Sequence, residues 1–296
     1  MTQSYAEAPV KKVSAGNGIE YSSREVGEGG VPLVLLMHFR GNLDYWDPAL
    51  VDALAQARRV IAFDNTGVGG SSGTTPSTVA QMALDAIAFI DALDLAQADI
   101  LGFSLGSFVA QEVALIRPAL VRRLVLASAA PQGAPGMHGW AKWVIDSVGE
   151  PEVVPSHVLD VFYTRSAESR SAGEKAMQRM FTRAESDQPT TWQTRQAQYD
   201  AVTAWGVPNV ALLERVTAIQ APVFVSGGDS DPMILPRYSY LLAGLIPNAR
   251  VKIYPDAAHG FLFQHHDEFA TDVDTFLADA SVHNAELSAS WSRSSG

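Results

Sequence analysis

Two serines of this chain stand in the pattern G-x-S-x-G: Ser104 in GFSLG (102–106) and Ser71 in GGSSG (69–73). A serine hydroxyl attacks a carbonyl carbon only when a base takes its proton, and that base needs an acid to orient its ring. The chemistry therefore requires a serine fixed at a rigid turn, with a histidine and a carboxylate at the same place in the fold. Ser104 directly follows the apolar run ADILGF (98–103) and directly precedes LGSFVAQEVALI (105–116), whose apolar positions have helical spacing. It thus falls on a strand-to-helix turn, where small flanking glycines let the chain bend tightly and leave the hydroxyl exposed. Ser71 lies inside NTGVGGSSGTTP (65–76), several residues past its strand and with no helix until after Pro76. A loop of that kind holds no oxygen in one attack geometry, so Ser104 is the candidate nucleophile.

Seven histidines compete for the role of base. His259 sits in YPDAAHGFL (254–262), just past the apolar run VKIY (251–254) and ahead of a helix that begins near Asp267. That position lies on the same sheet edge as Ser104, the edge where open α/β sheets bind their ligands. His265 and His266 begin or precede the last helix and read as a solvated cap. His138, His157 and His283 have no strand-end context, and His38, at the end of VPLVLLMH (31–38), reads as a satisfied structural histidine, with a part in shaping the site as the alternative. For the acid, PVFVSGGDSDPMILP (222–236) offers Asp229 and Asp231 after a strand at 222–226, and the residues alone leave both open, as triad member or as turn and cap residue.

These residues must be positioned by a regular scaffold. The runs 31–38, 58–63, 98–103 and 122–127 are continuously apolar, as in strands covered on both faces. Helical spacing at 48–57, 78–93 and 105–117 separates them. The alternation resumes with a strand at 222–226, a helix at 236–246, a strand at 250–254 and a helix at 267–280. Segments 13–15 and 19–26 around Gly16-Asn17-Gly18 predict an antiparallel hairpin. The fold class is α/β: a mostly parallel, doubly wound sheet with a helical lid inserted after the sixth strand. Residues 1–130 and 216–280 form the core, 131–215 the lid, and 281–296 a disordered tail.

The whole composition fits a protein of this class. A length of 296 residues suits one large α/β domain with an insertion, and 47% hydrophobic residues supply its core. There is no cysteine, which rules out disulfides, thiolate metal sites and a cysteine nucleophile. A formal charge of −11 with dispersed Lys and Arg argues against nucleic acid or an anionic membrane as partner. The N-terminus lacks the apolar stretch of a secretory signal and no run of 18 apolar residues occurs, so a soluble, cytoplasmic protein is expected. No metal or cofactor is implied, and self-association into a homo-oligomer stays open. A nucleotide-binding reading of GVGGSSG fails because G-x-G-x-x-G breaks at Ser72 and G-x-x-x-x-G-K-[ST] is absent. A non-catalytic ligand-binding protein on the same fold is the remaining non-enzyme reading.

The elbow GFSLG, RRVIAFDNTGVGGSSG (58–73), GGDSDPMILP (227–236) and DAAHGFLFQHHDEF (256–269) together resemble the α/β-hydrolase superfamily, in particular its esterase and cofactor-free haloperoxidase-like branch. The likeness spans about residues 13–280 and is weakest over the insertion. It implies the chain order Ser, Asp, His, and an acid three residues after a glycine, which pairs Gly228 with Asp231 and favours Asp231 over Asp229. It also implies an oxyanion hole made of the Leu105 N–H and an amide of the loop His38-Phe39-Arg40-Gly41. Family members commonly have glycine where Phe39 stands; alignment points to the Arg40 N–H as the second donor, with Phe39 as the alternative. The implied activity is hydrolysis of a small-molecule carboxylic ester or lactone through an acyl-enzyme, with perhydrolysis or carbon–carbon bond hydrolysis as alternatives. The insertion carries Trp140, Trp143, Phe162, Phe181, Trp192 and Trp205 among Met137, Met177 and Met180. Phe39, Trp140, Trp143, Trp192 and Trp205 are the candidates for a pocket that selects medium-sized apolar or aromatic substrates.

Overall fold

The computed structural model of the protein describes residues 3–136, 139–150, 153–183 and 186–279. Along the chain run β1 (Lys11–Ser14), β2 (Glu20–Val26), β3 (Leu33–Leu36), α1 (Pro48–Leu54), β4 (Val60–Phe63), α2 (Val79–Ala92), β5 (Ala98–Phe103), α3 (Leu105–Ile116) and β6 (Val121–Ala127). Five helices follow: α4 (Lys142–Gly149), α5 (Pro155–Phe162), α6 (Ala167–Met180), α7 (Trp192–Trp205) and α8 (Val210–Glu214). The core alternation then returns with β7 (Val223–Gly228), α9 (Pro236–Leu245), β8 (Ala249–Tyr254), α10 (Phe261–Gln264) and α11 (His266–Ala278). These five helices of the described residues fall within 131–215. Met137, His138, His283 and the tail from 281 lie outside the described residues.

The eight strands among the described residues form one sheet in the order β1-β2-β4-β3-β5-β6-β7-β8. The β1–β2 hairpin is antiparallel and β2 also pairs antiparallel with β4, while β3 to β8 are parallel. The central strands β3, β4 and β5 are buried at every position. Their uninterrupted apolar character follows from helices on both faces, and two hydrophobic clusters, one per face, form the core. No helix among the described residues is long and apolar enough to cross a membrane.

Because β3 to β8 run parallel, the loops after β3, β5, β7 and β8 gather at one edge of the sheet. At the centre of that edge, β5 turns into α3 at Ser104, which adopts φ 56° and ψ −119°. The glycines around it are there for closeness rather than for left-handed backbone, since neither Gly102 nor Gly106 has positive φ. A Cβ on Gly102 would lie 2.3 Å from the Gly106 carbonyl oxygen, and one on Gly106 would lie 2.0 Å from the Leu36 carbonyl oxygen of β3. The first turn of α3 therefore rests directly on the backbone of the neighbouring strands.

Gly106→Ala should accordingly force α3 off β3. Overpacking of this kind costs about 1–3 kcal/mol or more, so the thermal midpoint should fall by several degrees. Gly244→Ala, where nothing lies within 4 Å, should leave the midpoint unchanged or raise it, because alanine is the better helix former. Equal midpoints for Gly106→Ala and the unchanged protein would contradict the close contact.

Candidate active site

Ser104 is held from three sides. Its N–H donates to the Ala127 carbonyl of β6 (2.9 Å), and its carbonyl accepts from the Ser107 N–H (2.8 Å) and the Ser107 hydroxyl (2.6 Å). These bonds lock a backbone conformation that costs on the order of 1–3 kcal/mol when a non-glycine residue adopts it. The residue so held is only 4% exposed, and its hydroxyl points to a histidine.

That histidine is His259, on the loop after β8. Its Nε2 lies 2.9 Å from Ser104 Oγ and its Nδ1 lies 2.8 Å from Asp231 Oδ2. A carboxylate only accepts, so Nδ1 carries the ring proton and Nε2 presents its lone pair to the serine hydroxyl. Asp231 is itself oriented: its other oxygen accepts from the Met233 and Ile234 N–H groups at 2.8 and 3.0 Å. Phe103 and Phe162 pack on the imidazole with ring centroids 5.2 Å away. The loop bearing the histidine is pinned on one side by the Ser128 hydroxyl, which donates to the His259 carbonyl (3.3 Å). On the other side the His259 and Gly260 amides donate to the Val161 and Phe162 carbonyls of α5, at 3.3 and 2.8 Å.

Asp229 does something else. Its carboxylate accepts from the Asp256 and Ala257 N–H groups at 3.0 and 3.2 Å, so it staples the loop that leads to His259 and does not touch the ring. Ser71 is also structural: its hydroxyl donates to the Asp64 carbonyl (2.7 Å) and accepts from the Ser22 N–H (2.9 Å), joining the glycine-rich loop to β2 and β4.

The loop after β3 departs from the expectation. Arg40, not Phe39, takes the left-handed conformation (φ 66°). The Arg40 N–H donates to Gln198 Oε1 of α7 at 2.7 Å, so the amide that alignment points to is already occupied. The Phe39 N–H has no hydrogen-bond partner among the described residues, and neither has the Leu105 N–H at the start of α3. Nothing local in the sequence signals this, because the acceptor is 158 residues away. His38 is a buried neighbour whose Nδ1–H donates to the Phe39 carbonyl (2.8 Å). Burial pushes its pKa down to about 3 against the pull of that carbonyl, and the nearby His259 pushes the same way, so His38 is neutral at any working pH.

A cavity of about 70 Å³ opens beside Ser104 and His259. Core loops supply His38, Phe39 and Met233, and the inserted helices supply Val148 of α4 and Val158 and Phe162 of α5. His157, set aside in the sequence for lack of a strand end, also lines it. Of the five expected pocket residues only Phe39 is present. Trp205 is buried, stacked on Phe108 at 5.1 Å, with its Nε1–H donating to the Ala130 carbonyl. Trp140 packs between Phe39 and Tyr199 behind the cavity wall. Trp143 and Trp192 are about half exposed, with the Arg195 guanidinium over the Trp192 ring. The tryptophans thus pack the inserted helices onto the core or face outward, and valines, Met233 and the rings of Phe39 and Phe162 supply the apolar lining near the serine.

A family model described as alpha/beta hydrolase fold matches residues 31–266. The chain is 38% identical to a solved alpha/beta hydrolase fold protein from Chitinophaga pinensis, with a TM-score of 0.88 over 94% of this chain and 100% of that one. It is 33% identical over 251 residues to a poly(3-hydroxyalkanoate) depolymerase from Ectopseudomonas oleovorans, covering 83% of this chain and 84% of that protein. It is 27% identical over 259 residues to a protein of Mycobacterium tuberculosis provisionally named a non-heme bromoperoxidase, covering 84% of this chain and 94% of that protein.

Ser71→Ala should cost stability and nothing else, since it strands the buried Ser22 N–H and removes a donor from the Asp64 carbonyl. A loss of roughly 1–3 kcal/mol is expected in denaturant unfolding, with reaction of Ser104 toward a fluorophosphonate unchanged. A folded Ser71→Ala protein that no longer reacts would place Ser71 in the chemistry.

Proposed function

Since the chain belongs to the alpha/beta hydrolase fold family, we propose that it is a serine hydrolase of carboxylic esters or lactones, working through an acyl-enzyme on Ser104. The observation that carries the reading is the continuous chain of hydrogen bonds from Asp231 through His259 to Ser104, 2.8 and 2.9 Å long. The poly(3-hydroxyalkanoate) depolymerase relative, whose named polymer is a polyester, supports an ester bond as the target.

In this reading His259 Nε2 takes the Ser104 proton as Oγ attacks the substrate carbonyl. Asp231 keeps the proton on Nδ1 and stabilises the imidazolium that forms. The oxyanion is received by the two unpartnered amides, Leu105 N–H at the positive end of α3 and Phe39 N–H. The imidazolium then protonates the leaving alkoxide, and a water deprotonated by His259 releases the acid. For a lactone the leaving alkoxide stays tethered to the acyl group. Every step moves a proton or an acyl group among these residues, so no electron carrier enters. Hydrogen peroxide in place of that water would yield a peracid, and the relative named for bromoperoxidase chemistry makes this the second product to assay.

The inserted helices act in this reading as a lid over the small-molecule site. Their contribution near Ser104 is mainly apolar, five valines and Phe162 beside His157 and Ser147, and the charged residue in that wall, Arg40, has its guanidinium turned to the Val148 and Glu150 carbonyls. Apolar acyl groups are favoured there over charged ones.

Ser104→Ala should lower kcat for a p-nitrophenyl ester by about 10⁶-fold, by analogy with another serine hydrolase. Asp231→Asn should lower it by ~10⁴-fold, because the amide selects the wrong tautomer. Asp229→Asn should act through loop stability, with a much smaller loss in kcat. If the folded Asp229→Asn protein lost more activity than Asp231→Asn, the acid would be misassigned; retention of activity by Ser104→Ala would sink the mechanism.

A further inference from the structure

A second cavity, of about 220 Å³, lies beyond the first and shares His38, Tyr45, Val153, Val158 and Phe162 as common wall. Its far side is made by Met177 and Met180 of α6 and by Phe263. It is the larger of the two and lies away from the nucleophile. No aspartate, glutamate, lysine or arginine lines it. Its titratable groups are His38, which is neutral, and the hydroxyls of Tyr45 and Tyr163, both of which burial pushes up in pKa. No charge therefore faces this space at neutral pH.

The shape of the shared wall narrows the choice of occupant. His38 meets Phe162 and Tyr45 edge to face, with centroids 5.4 and 5.7 Å apart. These rings are in contact and close that part of the wall, and Val153 and Val158, which line both cavities, complete it; a slim polymethylene chain crosses such a boundary more readily than a second ring system. The two methionines at the far end are unbranched and adaptable, suited to packing on a chain whose end position varies. A polar or charged tail would have to give up water without a partner to replace it.

We propose that the acyl group of the substrate is a linear chain that runs from Ser104 past the wall formed by His38, Phe162, Val153 and Val158 into the cavity under α6. The proposal rests on Ser104 being the nucleophile, and it names the substrate class: esters of unbranched, medium-chain fatty acids, with the alcohol portion leaving on the other side of the serine. Each methylene buried along this path should raise kcat/KM by up to about four-fold, which corresponds to about 0.8 kcal/mol. The gain should end when the cavity is full.

The test is kcat/KM for p-nitrophenyl esters from acetate to dodecanoate. The expected profile rises past butyrate, peaks at intermediate length and falls for a chain-branched isomer of the best substrate. Met177 borders the second cavity and not the first. Met177→Trp should therefore lower the ratio of octanoate to butyrate kcat/KM by about ten-fold or more, and Met177→Ala should move the peak to longer chains. The alanine variant serves if the tryptophan variant fails to fold. A flat profile, a maximum at acetate, or a Met177→Ala peak that stays in place would overturn the chain's path. The nucleophile is checked separately: if a fluorophosphonate leaves Ser104 unmodified and no ester is cleaved, the hydrolase reading itself has failed.

Discussion

The structure depends on a close contact between backbones. For Ser104 to sit at φ 56° with its hydroxyl at the edge of the sheet, α3 must begin against β3 and β5, and that approach leaves no room for a Cβ at residues 102 and 106. The compensation is local: the Ala127 carbonyl and the Ser107 side chain hold the turn. Once the serine is placed, the ends of β3, β7 and β8 can deliver His38, Asp231 and His259 around it, because parallel strands end their loops at the same edge.

The inserted helices are tied into this arrangement by main-chain and buried charge contacts. The amides of His259 and Gly260 donate to carbonyls at the end of α5. The Arg40 backbone is gripped at both its amide and its carbonyl, by Gln198 and by the Thr190 hydroxyl at 2.5 Å. Arg179 of α6 binds the fully buried Asp47 through two hydrogen bonds, at 2.8 and 2.5 Å, and a lone carboxylate there would be costly. The loop that presents the Phe39 amide and the loop that presents the imidazole are thus both shaped by the insertion. Displacing these helices would alter the site as well as uncover it.

The core was legible because its physics is local. Continuous apolar runs alternating with helical periodicity identify β3 to β8 within two residues at each end and α1, α2, α3, α9 and α11 within three, while the short α10 escapes them, and a serine between two such signals is distinguished from one in a loop. Ser104 and His259 are found this way. Asp231 and Asp229 are not separated by local pattern, since both follow β7; the choice came from the resemblance, and the structure shows the two carboxylates facing different partners. The insertion was opaque for a different reason. Trp140, Trp143, Trp192 and Trp205 are large and apolar, but composition carries no direction, and whether a ring faces a cavity, the core or water is decided by helix packing. The occupied Arg40 amide was equally hidden, being set by a glutamine side chain on α7.

The central claim is that Ser104 carries the acyl group between substrate and water. The most direct measurement is rapid quenching of the protein with excess p-nitrophenyl ester, followed by peptide mass mapping. One acyl group per chain, on the peptide and residue of Ser104, formed as fast as the first equivalent of nitrophenol, is the predicted result. An acyl group on another residue, or turnover with a burst of nitrophenol and no acyl adduct anywhere, would contradict it.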